Sequence, residues 1–134
     1  MQFATLGYDS LLYDNRLIDL SSVNINLFDL INNMKGSLVT SGKKLKSVIL
    51  INRSDKKFLI TAMMDKIEIS SFQSDDSITI QLLEGKLRLH TRKESVTLDK
   101  GHFITINEKV KYQLTSLEET VFLLTIASPS KFIN

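Results

Sequence analysis

From residue 45 onward, apolar and polar residues alternate in short runs that are separated by turn signals. Leu87 and Leu89, for example, alternate with Arg88 and His90. A period of two places successive side chains on opposite faces of a strand. Many short strands with a turn every eight to twelve residues or so are typical of an all-β sandwich or barrel. This pattern therefore predicts an all-β fold for most of the chain.

The predicted strands begin with a hairpin, in which the apolar runs Leu45–Ile51 and Phe58–Met64 flank a polar turn at 52–55. Gly85 and Gly101 each follow a strand at a chain reversal, where glycine readily takes a positive φ. The single proline, at position 129, lies beyond the last predicted strand. Further strands are predicted at 67–70, 78–83, 87–90, 96–98, 103–106, 111–115 and 120–126.

A short helix is predicted over residues 24–36, before the strands. Its apolar residues recur at i, i+3, i+4 and i+7, which makes one stripe for packing against the barrel. Asn24 or Asn26 can cap the first turn, and Gly36 is the predicted C-terminal stop. Residues 1–23 are apolar without a sustained period, so we expect one or two short edge strands there. The stripe consists of Leu27, Leu30, Ile31 and Met34.

Composition limits the classes of protein to which the chain can belong. A length of 134 residues fits one structural domain overall, divided into an arm and short helix (1–42) and a β-barrel (43–134). The absence of cysteine excludes disulfides, a thiolate nucleophile and cysteine-based metal sites. A net charge of +2 predicts no nucleic-acid partner. With no signal-peptide pattern and no apolar run of about 18–20 residues, we expect a cytoplasmic protein without a membrane partner.

Two glycine-anchored spacings organise the stretch Ser70–Thr125. One ends at Gly85 and the other starts at Gly101. They match the two motifs of the cupins, H-x-H-x3-E-x6-G and G-x5-P-x-G-x2-H-x3-N, and the stretch resembles a small, single-domain RmlC-like cupin. The resemblance implies a double-stranded β-helix, or jelly-roll barrel, so the predicted fold class is all-β, cupin-like, with a short N-terminal helix. Three segments also look like those of short cupins: Ser77–Leu87, Val96–Gly101 and Leu117–Ile126.

The resemblance places the family's metal-ligand positions at residues that are poor ligands. The first motif puts them at Phe72, Ser74 and Ile78, and the second puts its histidine at Tyr112 and its final asparagine at Ser116. Cupin metals are held by imidazole nitrogens and a carboxylate, and neither is present at these positions. We therefore predict no metal and no cofactor, and we assign no catalytic residue.

Two interpretations of Phe72, Ser74, Ile78 and Tyr112 remain open. In the first, these side chains fill a barrel that has lost its metal. In the second, they line a pocket for a small ligand, apolar or of mixed polarity, that the Ser74 and Tyr112 hydroxyls orient. Small barrels are often filled by their own side chains, which favours the first interpretation.

These observations predict a metal-free cupin-like protein that is a non-enzymatic small-ligand binder or an interaction module. The alternative is a metal-independent cupin enzyme, an isomerase or lyase acting on a sugar or small acid. A weaker third hypothesis is a sensory domain with a separate output chain. His90 and His102 are predicted to be surface residues rather than a catalytic base. An open sheet edge has unpaired backbone groups that can form hydrogen bonds with a second copy of the chain, so we also expect a homodimer.

Overall fold

The computed structural model describes residues 24–70, 77–107 and 110–127. In this part of the chain, helix α1 (Leu27–Ser41) is followed by nine strands. The edge strands that we predict within residues 1–23 lie outside the described residues. The strands are β1 (Leu45–Asn52), β2 (Lys56–Met63), β3 (Glu68–Ser70), β4 (Ser77–Glu84), β5 (Lys86–His90), β6 (Ser95–Asp99), β7 (Phe103–Ile106), β8 (Gln113–Ser116) and β9 (Thr120–Ala127).

The described strands form two antiparallel sheets, one of five strands in the order β1-β2-β9-β4-β7 and one of four in the order β3-β8-β5-β6. Alternate side chains of both sheets form one apolar core. Ile80 and Phe122 enter it from the first sheet and Leu87 and Leu114 from the second, and all four are 0% exposed. Non-consecutive strands are neighbours in both sheets, which confirms the jelly-roll architecture predicted from the strand pattern and the motif spacing.

Helix α1 covers the outer face of the five-stranded sheet and forms a second apolar cluster with it. Asn26 caps the helix, because its side-chain oxygen accepts a hydrogen bond from the Asp29 N–H at 3.1 Å. The predicted stop at Gly36 is wrong: the helix continues to Ser41 and ends at Gly42, whose φ is 73°. The extra turn buries Leu38 to 3% exposure against the sheet, and this burial outweighs the low helix propensity of glycine. The helix contributes Ile31, Met34 and Leu38 to the cluster, and the sheet contributes Val48, Leu50, Ile60, Ala62 and Val121.

Register shifts in β1 and β4 each place two consecutive side chains on the helix side of the five-stranded sheet. In β1 the shift falls between Ile49 and Ile51. In β4 it falls between Leu82 and Glu84. Strict alternation would turn Glu84 into the apolar core, but the extra residue of a bulge reverses that alternation. Glu84 therefore reaches α1, where its carboxylate accepts a hydrogen bond from the Lys35 ammonium at 2.9 Å.

Gly85 is the single residue between β4 in one sheet and β5 in the other, so the chain changes sheets at this point. Its φ is 90°, as its predicted role at a reversal requires. A side chain here would also collide with the backbone at Glu119 and Thr120, where β9 begins. The Thr120 hydroxyl completes the corner: it lies 2.7 Å from the Glu118 carbonyl oxygen and accepts from the Lys86 N–H at 3.3 Å.

Candidate functional site

The structure brings two of the four predicted pocket residues into one apolar cluster. Ile78 lies near the start of β4, is 8% exposed and belongs to the core between the sheets. Its partners in the neighbouring strands are Ile106 and Ile126. Tyr112 precedes β8, is half-buried and packs against the same core. Phe72 and Ser74 lie outside the described residues, so the four-residue pocket stays a prediction.

Burial controls the chemistry of Tyr112. It raises the pKa of the phenol to about 12, because desolvation disfavours the phenolate. At neutral pH the side chain is therefore an uncharged hydroxyl on an aromatic ring. Such a group can donate a hydrogen bond to a ligand, but it is a weak base and a weak metal ligand.

The donor set that the described residues offer does not fit a cupin metal. Ile78 has no lone pair, and the protonated phenol of Tyr112 stands where the motif has an imidazole. Within the described ranges, no group of three or more histidine, aspartate or glutamate side chains is placed to hold a metal ion. A transition metal needs about three or four nitrogen, sulfur or carboxylate donors in one small volume, and these residues do not supply them.

Ser116, at the asparagine position of the second motif, joins two backbone segments through the hydrogen bonds of its hydroxyl. It is 0% exposed. Its hydroxyl donates to the Met64 carbonyl oxygen at 2.6 Å and accepts from the Ile67 N–H at 2.8 Å. The side chain thereby fastens the turn between β2 and β3 to the end of β8. Its hydrogen bonds are used within the fold rather than turned towards a ligand.

The sequence analysis missed a pair of hydroxyls in the barrel interior. Ser47 on β1 and Thr61 on β2 are directly opposite in the register, are both 0% exposed, and lie 2.8 Å apart at their oxygens. The pair could have been found from the alternation of each strand, since both residues fall on the inward face. Among the described residues, each buried side-chain nitrogen or oxygen has a hydrogen-bond partner. The pair therefore stabilises the interior as a self-satisfied unit.

The outer face of the four-stranded sheet is polar and carries two adjoining hollows. The first has a volume of about 380 Å³ and includes Glu68, Arg88 and His90 in its lining. The second has a volume of about 270 Å³ and includes Arg92 and Lys111. Sequence reasoning placed Arg88 and His90 on one solvated face, and both are exposed. It missed the hollows because their walls come from strands that are far apart in the sequence.

His102, the other histidine, is exposed and belongs to the turn between β6 and β7. Its Nδ1 accepts a hydrogen bond from the Asp99 N–H at 3.1 Å. The Gly101 N–H and the His102 carbonyl oxygen bond to the backbone of Leu82 on β4, at 2.9 and 2.8 Å. The imidazole therefore stabilises a turn, in agreement with the predicted surface role.

The chain matches no protein-family model and no curated protein. Solved structures do resemble it. A conserved Streptococcus pyogenes protein of unknown function is 20% identical with a TM-score of 0.61, over 64% of this chain and 75% of that one. The cupin domain of Schizosaccharomyces pombe Cnp3 is 14% identical with a TM-score of 0.61, over 66% of this chain and 63% of that one. A cupin-2 domain protein of Shewanella frigidimarina is 20% identical with a TM-score of 0.58, over 75% of this chain and 91% of that one.

At these identities the likeness concerns the fold, and the role of each residue has to be argued from this chain itself. Proteins that share a fold often differ in activity, so a neighbour's activity is not transferred. Within the described ranges, no helix has both the length and the apolar character needed to cross a membrane.

Proposed function

Because the chain has the cupin jelly-roll fold, we propose that it is a metal-independent, non-catalytic module that acts by binding a small ligand or a partner protein. The observation that carries this proposal is the chemistry of the barrel interior. In the described residues, apolar side chains of both sheets pack into one core, and the Ser47, Thr61 and Ser116 hydroxyls in it are hydrogen-bonded within the protein. An interior of this kind stabilises a fold and offers little to a reaction.

Acid–base catalysis requires titratable side chains that converge on a substrate. Among the described hydrophobic and aromatic residues of this core, Tyr112 is the one with a titratable group. Its phenol is protonated at neutral pH, as a tyrosine of ordinary pKa is, and burial raises that pKa further, to about 12. His102 is exposed in the turn between β6 and β7, whereas His90 is exposed and lines the second hollow together with Tyr112, outside the apolar core. The apolar core supports the binding or interaction role that we propose, and the isomerase or lyase alternative would have to use His90 and Tyr112 in the second hollow.

A metal test checks the metal-independent part of the proposal. The untagged protein is purified and analysed for transition metals, and thermal melts are then recorded with Mn(II), Fe(II), Ni(II) and Zn(II). We expect less than stoichiometric metal and an unchanged melting temperature, because an ion stabilises a protein only when it binds the folded state preferentially. One equivalent of metal, or a rise of several degrees that is lost in Tyr112→Phe, would contradict the proposal and reopen the metal-dependent oxygenase and isomerase classes.

The proposal includes assembly into a homodimer. In the described part of the chain, β1 and β7 are the outer strands of one sheet, and β3 and β6 are those of the other. An outer strand has unpaired backbone groups on one side, which can pair with a second copy. On β7 the Phe103 side chain is 68% exposed and adds apolar surface beside such an edge. Light scattering at micromolar concentration should give the dimer mass, and a monomer mass would contradict this part of the proposal.

A further inference from the structure

The two hollows on the outer face of the four-stranded sheet meet, because His90 and Gln113 line both of them. We call the combined surface the outer groove. Its strand residues lie on the opposite side of the sheet from the apolar core, because they alternate along the strands with buried ones, and Tyr112, which packs against that core, lines one end of it. Leu89, between Arg88 and His90, is 1% exposed on the core side. The strand residues of the outer groove therefore face away from the core, and the groove meets the position of the motif histidine at Tyr112, which lines the second hollow.

Strand register places the groove residues in two rows across the sheet. In one row, Glu68 is opposite Thr115, which is opposite Arg88. Residues directly opposite on one face of an antiparallel pair have Cβ atoms about 4.5–5.5 Å apart. The second row brings Ser70, Gln113, His90 and Ser95 together in the same way. Arg88 and His90 thus lie on the central strand β5, with hydrogen-bonding side chains on both sides.

The charge of the groove is predominantly positive. Arg88, Arg92 and Lys111 contribute three cations, whereas Glu68 contributes one carboxylate. Within the described residues, the ion pairs are Lys35 with Glu84 and Lys86 with Asp99, so none of the described carboxylates lies within 4.0 Å of the three groove cations. Unpaired cations beside neutral donors and acceptors are the arrangement that recognises an anion carrying hydroxyl groups.

We propose that the outer groove binds a small phosphorylated molecule, such as a sugar phosphate. Its phosphate lies against the guanidinium and ammonium groups, because a guanidinium donates two parallel hydrogen bonds to phosphate oxygens. Its hydroxyls bond to Gln113, Ser95 and Thr115, which can each donate and accept. The first hollow, of about 380 Å³, is by itself within the volume range of small-molecule sites. This inference rests on the proposed binding role and names its site and ligand class.

The test is an NMR titration of the isotopically labelled full chain at low salt. The probe is glucose 6-phosphate, and glucose is the uncharged control. We expect saturable shifts of backbone amides in β5 and β8 with the phosphate ester, and none with glucose. Arg88→Gln should weaken binding at least tenfold, with Arg92→Gln as a second variant. Arg53→Gln, an exposed change in the β1–β2 turn, should leave binding unchanged.

Several outcomes would overturn the proposal: no saturable shift with glucose 6-phosphate, equal shifts with glucose, or equal weakening by Arg88→Gln and Arg53→Gln. Shifts confined to residues around Ile78 would place the ligand in the barrel, so the binding role would stand and the outer groove would be refuted. Failure of the metal-independent module itself is seen separately, as bound metal in the elemental analysis.

Discussion

Replacing Gly85 with alanine should destabilise the protein through two separable effects. The backbone has a φ of 90° there, which an L side chain adopts at a cost of about 1–2 kcal/mol. The added Cβ would also lie 2.7 Å from the Thr120 Cα, closer than real Cβ contacts. Because that neighbour is backbone at the start of β9, it cannot move aside as a flexible side chain would. Overpacking of this kind costs about 1–3 kcal/mol.

The two effects together predict a loss of about 2–5 kcal/mol in the free energy of unfolding. Domains are typically stable by about 5–15 kcal/mol, so the variant should still fold, with a clearly lower midpoint in urea. Equilibrium unfolding followed by far-UV circular dichroism measures the loss. It should appear in the midpoint, with the slope of the transition unchanged.

Gly101→Ala is the matched control for the dihedral effect. Gly101 also has a φ of 90°, but a Cβ built there meets no heavy atom within 4 Å. We therefore expect it to lose only the dihedral contribution of about 1–2 kcal/mol. The Gly85 variant should be less stable than this control by about 1–3 kcal/mol. Equal losses in the two variants would refute the argument that β9 crowds the corner.

Three further changes test other parts of the structure. Gly36→Ala should stabilise the protein by about 0.5–1 kcal/mol in urea, because Gly36 is inside the helix and a Cβ there meets nothing within 4 Å; a loss of stability would contradict this. Ser47→Ala should cost about 1–3 kcal/mol by leaving the buried Thr61 hydroxyl unpaired. Combining it with Thr61→Val should cost less than the sum of the single changes, and additive costs would refute the pairing. Tyr112 should titrate at 295 nm near pH 12, a step absent in Tyr112→Phe. Since its folded pKa is raised from 10.0, stability present below pH 10 should fall as the pH rises towards 12, and less so in Tyr112→Phe.

The candidate site could be predicted only in part. The motif spacing at Gly85 and Gly101 identified Ile78 and Tyr112, and the structure places both at the same apolar core. The motif spacing could not show how far burial raises the pKa of Tyr112, because desolvation depends on the neighbours that the fold supplies. The outer groove could not be predicted either. Its walls come from β3, β5 and β8, which are neighbours only after the sheet has formed.

The sequence by itself determined the features that depend on residues close together in the chain. Alternation predicted the strands, and Gly85 was recognised at a reversal because few other residues adopt a positive φ. The tertiary structure decided where α1 ends, since burial of Leu38 on the sheet carries the helix past Gly36. It also decided that Glu84 faces away from the core and forms an ion pair with Lys35. The cause is a bulge in β4, which the alternation of residues in the sequence does not predict. Periodicity reports the faces of an element, whereas strand order, bulges and burial arise from contacts between residues far apart in the chain.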